Sequence, residues 1–382
     1  MPIQKITEDR YRESVRLSEY AFQYKVPEED LAKRLEGLKK HQILGVLEHD
    51  LVVAKLHLLS LETYVGNKKF KMGGIAGVAT YPEYRRRGYV KEMLSDVLVK
   101  MREQGFTVSM LHPFDVSFYR KFGWELYSNR LTTKHTKSDL DMLDAVDGEI
   151  KRFNIENVKI EELSQIYEQY ATKFSGMLVR DPDWWKNVID DLHIGVYYDS
   201  LRHPTGYLLY SIKDNKMSVE EFVAIHSEAR RGLWNFICQH DSMIAELELN
   251  TYEREPLFFA LKNQRTVKRE VSTYFMVRIV DVEAFLKKFE FASNEEVLKI
   301  QITDPYASWN EKTFSIKNQQ VSVVDDNGNA LRLSVNALST LLFGYQRPTE
   351  LYQAGAIQGA EEEVAKLEKL IPHFQGFMYD FF

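Results

Sequence analysis

Val78-Ala79-Thr80-Tyr81-Pro82-Glu83-Tyr84-Arg85-Arg86-Arg87-Gly88-Tyr89-Val90 is the stretch whose reading decides the fold. It reads as a strand, a basic turn and the start of a helix. Gly73 to Thr80 is small and apolar, as in a strand buried on both faces, and Pro82 prevents it from continuing as a central strand. Beyond the turn, Val90, Met93, Leu94, Val97, Leu98 and Met101 recur at helical spacing, and the helix is expected to run from Lys91 to Glu103. The first N–H groups of a helix have no intrahelical partner, and the dipole adds partial positive charge there. Three guanidinium groups beside them suit a pyrophosphate, because each pairs bidentately with phosphate oxygens. Gly88 lets the backbone approach such a ligand.

Elements of the same kind extend outward on both sides. Residues 7 to 40 read as helical, with Tyr11, Val15, Ser18 and Phe22 on one face. Strand-like runs follow at Ile43 to Leu47, Leu51 to Val65 and Phe70 to Thr80, with Gly66-Asn67 as a turn between the last two. After the basic turn and its helix come a strand (Phe106 to Leu111), a turn with a short helix (Pro113 to Lys121) and strands over Trp124 to His135. Ser138 to Asn154 is acidic and irregular, and reads as a linker. A second region then repeats the order of the first without its arginine-rich turn. At the corresponding place, Phe222 to Gly232 keeps Arg230, Arg231 and a glycine but not the Tyr-Pro lead-in or the spacing. From Arg278 onward the texture changes to a helix at Val282 to Leu286 and alternating strands. A hairpin turn is expected at Asp326-Asn327-Gly328-Asn329, with helices over Val335 to Gly344 and Gly359 to Leu370.

Composition narrows the class of protein. With 382 residues the chain has room for two or three domains. Fifty Lys and Arg against 56 Asp and Glu give a net charge of −6, which argues against a nucleic-acid binder that works by neutralising phosphates. No run approaches the ~20 apolar residues that a membrane span needs. Met1 to Arg10 is charged and has no apolar signal region. The expectation is a cytoplasmic protein without a membrane partner. The one cysteine, Cys238, sits in an apolar helical run and reads as core. The ten histidines show no metal-ligand spacing, and no Gly-x-Ser-x-Gly elbow occurs, so no metal is expected.

The basic turn resembles the pyrophosphate loop of the GNAT acetyltransferases, with Arg85, Gly88 and Val90 at the motif positions; Val90 departs from the usual small residue. Two tandem GNAT-like regions followed by a sterol-carrier-like pattern resemble one family in particular, the Eis (enhanced intracellular survival) N-acetyltransferases. The run Phe114-Asp115-Val116-Ser117-Phe118-Tyr119-Arg120-Lys121-Phe122-Gly123-Trp124 and the aromatic last residue, Phe382, carry the rest of the likeness. It implies an α+β chain of three parts: a GNAT domain over 1–137, a second, degenerate GNAT-like domain over 138–277, and a sterol-carrier-like domain over 278–382. It also implies acetyl-CoA as cosubstrate, a small-molecule amine such as an aminoglycoside as acceptor, and a homo-oligomer, often a hexamer. In the cofactor site it places Val78, Ala79 and Thr80 on the pantetheine arm. Arg85, Arg86, Arg87, Gly88, Tyr89, Val90 and Lys91 fall on the pyrophosphate, with Phe114 and Asp115 flanking the cofactor. Tyr119 is then the general acid and the carboxylate of Phe382 the general base.

These roles are chemically reasonable. A phenol with a pKa near 10 can protonate a departing thiolate. A free α-carboxyl near 3.5 is a weak base, and apolar surroundings such as Phe377, Met378, Tyr379 and Phe381 would raise it. Phe22, Tyr24 and Trp124 are candidates to line the acceptor pocket, and Asp380 is an alternative anionic group for a cationic amine. His112 lies beside the site, and Asp183-Trp184-Trp185 stands either at a pocket mouth or in packing. The other class of reading is a non-catalytic protein that binds coenzyme A or a lipid on the same scaffold.

Overall fold

The computed structural model describes residues 3–293, 295–325 and 328–382; Asp326 and Asn327 of the expected hairpin turn lie outside them. The first part contains β1 (Gln4–Lys5), α1 (Tyr11–Phe22), α2 (Glu28–Leu38), β2 (His41–Glu48), β3 (Leu51–Val65) and β4 (Lys68–Thr80). It continues with α3 (Tyr89–Glu103), β5 (Val108–Leu111), α4 (Val116–Arg120) and β6 (Glu125–Thr136). The second part contains β7 (Glu149–Phe153), α5 (Ile160–Ala171), β8 (Ser175–Leu178), α6 (Pro182–Val188), β9 (His193–Tyr198) and β10 (Pro204–Lys213). It ends with β11 (Lys216–Ala224), α7 (Ser227–Cys238), β12 (Glu246–Thr251), α8 (Leu257–Ala260) and β13 (Lys268–Ile279). The third holds α9 (Val282–Lys288), β14 (Leu298–Thr303), β15 (Thr313–Lys317), β16 (Gln320–Val324) and β17 (Leu331–Ser334). It closes with α10 (Val335–Leu342), α11 (Pro348–Gln353), β18 (Ile357–Gln358) and α12 (Glu361–Leu370).

The first two parts share one sheet, in the order β1-β2-β3-β4-β5-β13-β6-β12-β11-β10-β9-β7, with β8 on β3. Its middle is an exchange. The last strand of each part crosses over: β13 pairs with β5, and β6 pairs with β12. The two repeats divided by sequence at 137/138 are therefore interlocked in space. The long ladder between β6 and β13 ties them together.

Two sequence expectations are corrected here. The helix read over 7 to 40 is two helices, because Gln23 takes a left-handed conformation and Pro27 precedes α2. Phe22 at the end of α1 is 51% exposed, whereas Leu17 fills the buried stripe. The acidic run 138 to 154 is not wholly irregular, since β7 lies within it and pairs with β9.

Alternation along the strands sends successive residues to opposite faces. On one face, Ile75, Leu111 and Met276 meet Met93, Leu94, Val97 and Leu98 of α3. On the other, Met72, Met110, Phe275 and Val277 join the core of the third part, with Phe285, Leu338 and Leu341. Fully buried Arg278 pins this join. Its guanidinium binds both oxygens of Asp304 at 2.7 Å and also the carbonyl of Phe122, just after α4. Breaking a buried pair strands a charge and costs about 3–5 kcal/mol.

A polar cluster is buried beneath α1. Lys55 donates to Ser18 Oγ at 2.6 Å and lies 2.7 Å from His57 Nε2; His57 in turn meets His41 at 3.1 Å. No carboxylate is among these contacts. Burial, with help from Arg34, pulls the Lys55 amine down to about 7, and burial first holds His57 well below its ordinary range. The cluster is thus neutral in the fold at alkaline pH.

Two outcomes are predicted. Asp304→Ala should lower the urea midpoint by an amount equivalent to about 3–5 kcal/mol; a change under ~1 kcal/mol would mean the pair is not a tie. For Lys55 the folded value lies below the unfolded one, near 10.4. The unfolded chain therefore binds more protons between about pH 7 and 10, and stability should rise with pH there by up to ~1.4 kcal/mol per unit. Urea titrations at pH 7, 8 and 9 should show Lys55→Met flattening that rise, and an unchanged slope would mean that Lys55 is charged in the fold.

Candidate active site

The site begins where a ladder ends. β4 and β5 run parallel through four pairs, Met72↔Val108 to Ile75↔Leu111, and then part. Just beyond, β4 carries a bulge: Ala76 faces His57 and Ala79 faces Lys55, so Gly77 and Val78 together oppose Leu56. Gly77 takes φ +55, and a side chain there would press on the His57 ring. Bulges bend a strand and end its pairing. Val78, Ala79 and Thr80 thus run along one arm of a fork without partners from β5. His112, Pro113 and Phe114 leave along the other arm, and Phe114 is 71% exposed.

The basic turn connects β4 to α3. Gly88 caps the helix at φ 85, in the left-handed region that glycine adopts without strain. The N–H of Glu92 is the first to close a helical bond, to Gly88, which leaves those of Tyr89, Val90 and Lys91 without helical partners. Val90 leans into the α3 core, so its bulk faces away from the turn. The three arginines divide their tasks. Arg87 binds both oxygens of Glu48 at 3.0 and 3.1 Å, and Tyr89 donates to the same carboxylate. Arg85 Nε reaches the Thr80 carbonyl at 3.3 Å. Arg86 is exposed, with φ 63, and has no ion pair among the described residues. Arg87 therefore braces the turn, while Arg86 and the helix N-terminus face outward.

Tyr119 lies on α4, whose start is capped by Asp115; that carboxylate accepts from the Phe118 N–H and the Ser117 hydroxyl, both at 2.7 Å. Its contacts with Ser117 first, then the Phe118 N–H, hold Asp115 below the usual carboxylate range. A cap of this kind fixes the short helix. The Tyr119 ring packs edge-on against Phe114, Phe118 and Trp124. Burial alone pushes its phenol well above the ordinary range. Trp124, expected to line a pocket, is wholly buried behind Tyr119 and cannot meet an acceptor. Phe22 and Tyr24 do reach the surface, at the turn after α1.

The chain's last residue approaches from the opposite face. The Phe382 ring stacks obliquely on Phe275 at 5.0 Å and rests on Gly74, where a Cβ would come within 2.8 Å of it. Gly74 is one residue before the fork. Phe381 meets His112 at 5.1 Å. Burial first, and then Arg130, keeps the His112 imidazole below its ordinary range.

Asp380 is not free for an acceptor. Arg180 Nε (2.9 Å), Trp184 Nε1 (2.7 Å) and Tyr167 Oη (3.2 Å) all bind its carboxylate. Trp184 and Trp185 thus serve packing and this tether. The sequence does not mark Arg180, Glu221, Tyr167, Lys55 or His57 as functional; for Arg180, Glu221 and Lys55 the signal is a charged residue among apolar neighbours. In the second part, Arg230, Arg231 and Gly232 lie inside α7 rather than in a turn, and Gly232 packs on Tyr197.

Comparison with known proteins agrees with this architecture. Residues 2–127 and 176–279 each match an acetyltransferase (GNAT) domain, and residues 282–379 match a sterol carrier protein domain. The chain is 26% identical over 248 residues to the N-acetyltransferase Eis of Mycobacterium bovis (strain BCG / Pasteur 1173P2); the match spans 60% of each protein. An uncharacterized N-acetyltransferase of Streptomyces griseus is 24% identical over 56% of this chain and 58% of its own length. A probable N-acyltransferase from Enterococcus faecalis V583 superposes with a TM-score of 0.93 at 24% identity, covering 100% of this chain and 99% of the other. Eis1 from Mycobacterium abscessus does so at 0.86 and 20% identity, with both chains fully covered. Two GNAT domains, a sterol carrier domain and a fold shared end to end place this chain in the Eis family of GNAT N-acetyltransferases.

Proposed function

We propose that this protein moves an acetyl group from acetyl-CoA to a primary amine of a small molecule, an aminoglycoside or another polyamine-like acceptor. The observation that carries the reading is the fork beside the basic turn. Val78, Ala79 and Thr80 have β3 on one side and no β5 partner on the other, and that open side suits the amides of the pantetheine arm, which would add to β4 as a strand adds to an edge. Arg86 and the free N–H groups of Tyr89, Val90 and Lys91 suit the pyrophosphate. No helix among the described residues is long and apolar enough to cross a membrane.

In the reaction, the amine nitrogen attacks the thioester carbonyl carbon, the C–S bond breaks, and the thiolate takes a proton from Tyr119. The ammonium proton passes to the carboxylate of Phe382, the last residue of this sequence. Support for these roles comes from position: Tyr119 and Phe382 flank the fork from its two faces. Phe22 and Tyr24 offer aromatic surface to a cationic acceptor. The lipid-binding alternative is less favoured, because Leu286, Phe291, Leu338, Leu341 and Leu367 fill the apolar centre of the third part.

Two outcomes test this. Tyr119→Phe keeps the ring packing and removes the proton, so kcat should fall at least ~10²-fold while acetyl-CoA still binds. In the parent enzyme the raised phenol should give no loss of kcat up to pH ~10. Unchanged turnover in the variant, measured as thiol release with a panel of amines, rules out the acid role. Arg86→Ala should raise the KM for acetyl-CoA about 10-fold, as for one charge-assisted hydrogen bond, with kcat little changed. Binding of acetyl-CoA without turnover of any amine would favour the non-catalytic reading.

A further inference from the structure

The second GNAT fold has a fork of its own, and it is filled. β11 and β12 run parallel through four pairs, Lys216↔Glu246 to Val219↔Leu249, and part there. A bulge follows at once: Leu209 faces Glu221 and Tyr210 faces Val219, leaving Glu220 as the extra residue. The order of ladder, bulge and parting is that of the first fork, although Glu220 follows its last parallel pair directly whereas Gly77 and Val78 stand two and three places beyond Ile75. Counted from the last parallel pair, Phe222 stands three places beyond Val219, as Val78 stands three beyond Ile75. In the first fold that backbone is unpaired on its β5 side. In the second, the Tyr379 hydroxyl donates to the Phe222 carbonyl at 3.0 Å and accepts from the Phe222 N–H at 3.4 Å. It satisfies both polar groups that an incoming amide would use.

The rest of the tail is fastened with equal thoroughness. Asp380 is bound by Arg180, Trp184 and Tyr167, and its carbonyl accepts from the Tyr274 hydroxyl at 3.1 Å. Arg180, buried with almost no exposure, also grips Glu221, the residue beside Phe222, and Tyr207 donates to that carboxylate at 2.6 Å. Arg130 donates to the Tyr379 carbonyl at 3.0 Å. Upstream, Gly376 bridges to Ser175, beside β3. The tail is thus buried through Asp380, and then Phe381 and Phe382 emerge at the first fork. The second fold also lacks room for a pyrophosphate turn: two residues separate β11 from α7, where eight separate β4 from α3.

We propose that the second GNAT fold is the mount for the chain's own C-terminus: Tyr379 and Asp380 occupy its cofactor cleft and thereby set the Phe382 carboxylate at the first fork. Tyr379, Arg180 and Asp380 are positioning residues, acting on the reaction only through Phe382. The inference rests on the base role assigned to Phe382 above.

Tyr379→Phe and Asp380→Asn preserve shape, so both are expected to fold. They are compared with a chain extended by one residue after Phe382, and with the extended chain carrying each change. Hydrogen exchange at residues 377–382 should speed up at least ~10-fold in Tyr379→Phe, since two buried bonds are lost. kcat should fall at least ~10-fold with the KM for acetyl-CoA within about twofold, and added to the extension neither change should lower kcat further. Unaltered exchange overturns the mount, whatever the kinetics. So does turnover that collapses on extension but stays within twofold in both substitutions. If the extended chain turns over as fast as the parent, the base role of Phe382 fails, and with it the positioning role.

Discussion

Four parallel residue pairs, Met72 to Ile75 against Val108 to Leu111, are the constraint on which the molecule depends. Their ladder holds β4 and β5 together, and its end opens the cleft. The parting is enforced rather than incidental. The bulge at Gly77 and Val78 turns β4 away, while Pro113 ends β5 and leads to the capped helix of Tyr119. Everything proposed to touch acetyl-CoA is placed by this one divergence. The basic turn lies at the end of one arm, and the Tyr119 helix at the end of the other.

Repetition of that motif, followed by exchange of the closing strands, explains the interlocked sheet. β13 closes the first fold and β6 the second, so neither repeat completes its sheet without the other. The two forks then diverge in use. One keeps a long basic turn and an unpaired edge. The other has a two-residue connection and is closed by a tyrosine and an aspartate from the chain's far end. A buried charge such as Arg180 costs much unless it is paired, and it is paired on both sides. That full pairing gives the tail a single position.

Legibility in the sequence followed the range of each interaction. The turn at Arg85 to Gly88, its helix and the short helix around Tyr119 were readable, because local periodicity and punctuation specify them. The partners of β13 and β6 were not, since ladders between distant strands leave no periodic trace. The aromatic ending suggested docking but not where, because Arg180 lies 200 residues from Asp380. Trp124 was read as pocket lining from its place in a motif, whereas its size made it core. Pro27 marks the break after Phe22 in the sequence, whereas the apolar stripe alone predicts one continuous helix. Lys55 and His57 stand in a strand whose neighbours are apolar, so only the structure shows that they meet Ser18 of α1.

The central claim is one open fork and one filled fork in each chain. Calorimetric titration of the intact protein with coenzyme A measures this directly. The account predicts one molecule bound per chain, with Arg86→Ala weakening that single event. Two molecules per chain would mean that the second cleft admits a cofactor despite the tail, and none would mean that the first fork is not a coenzyme site.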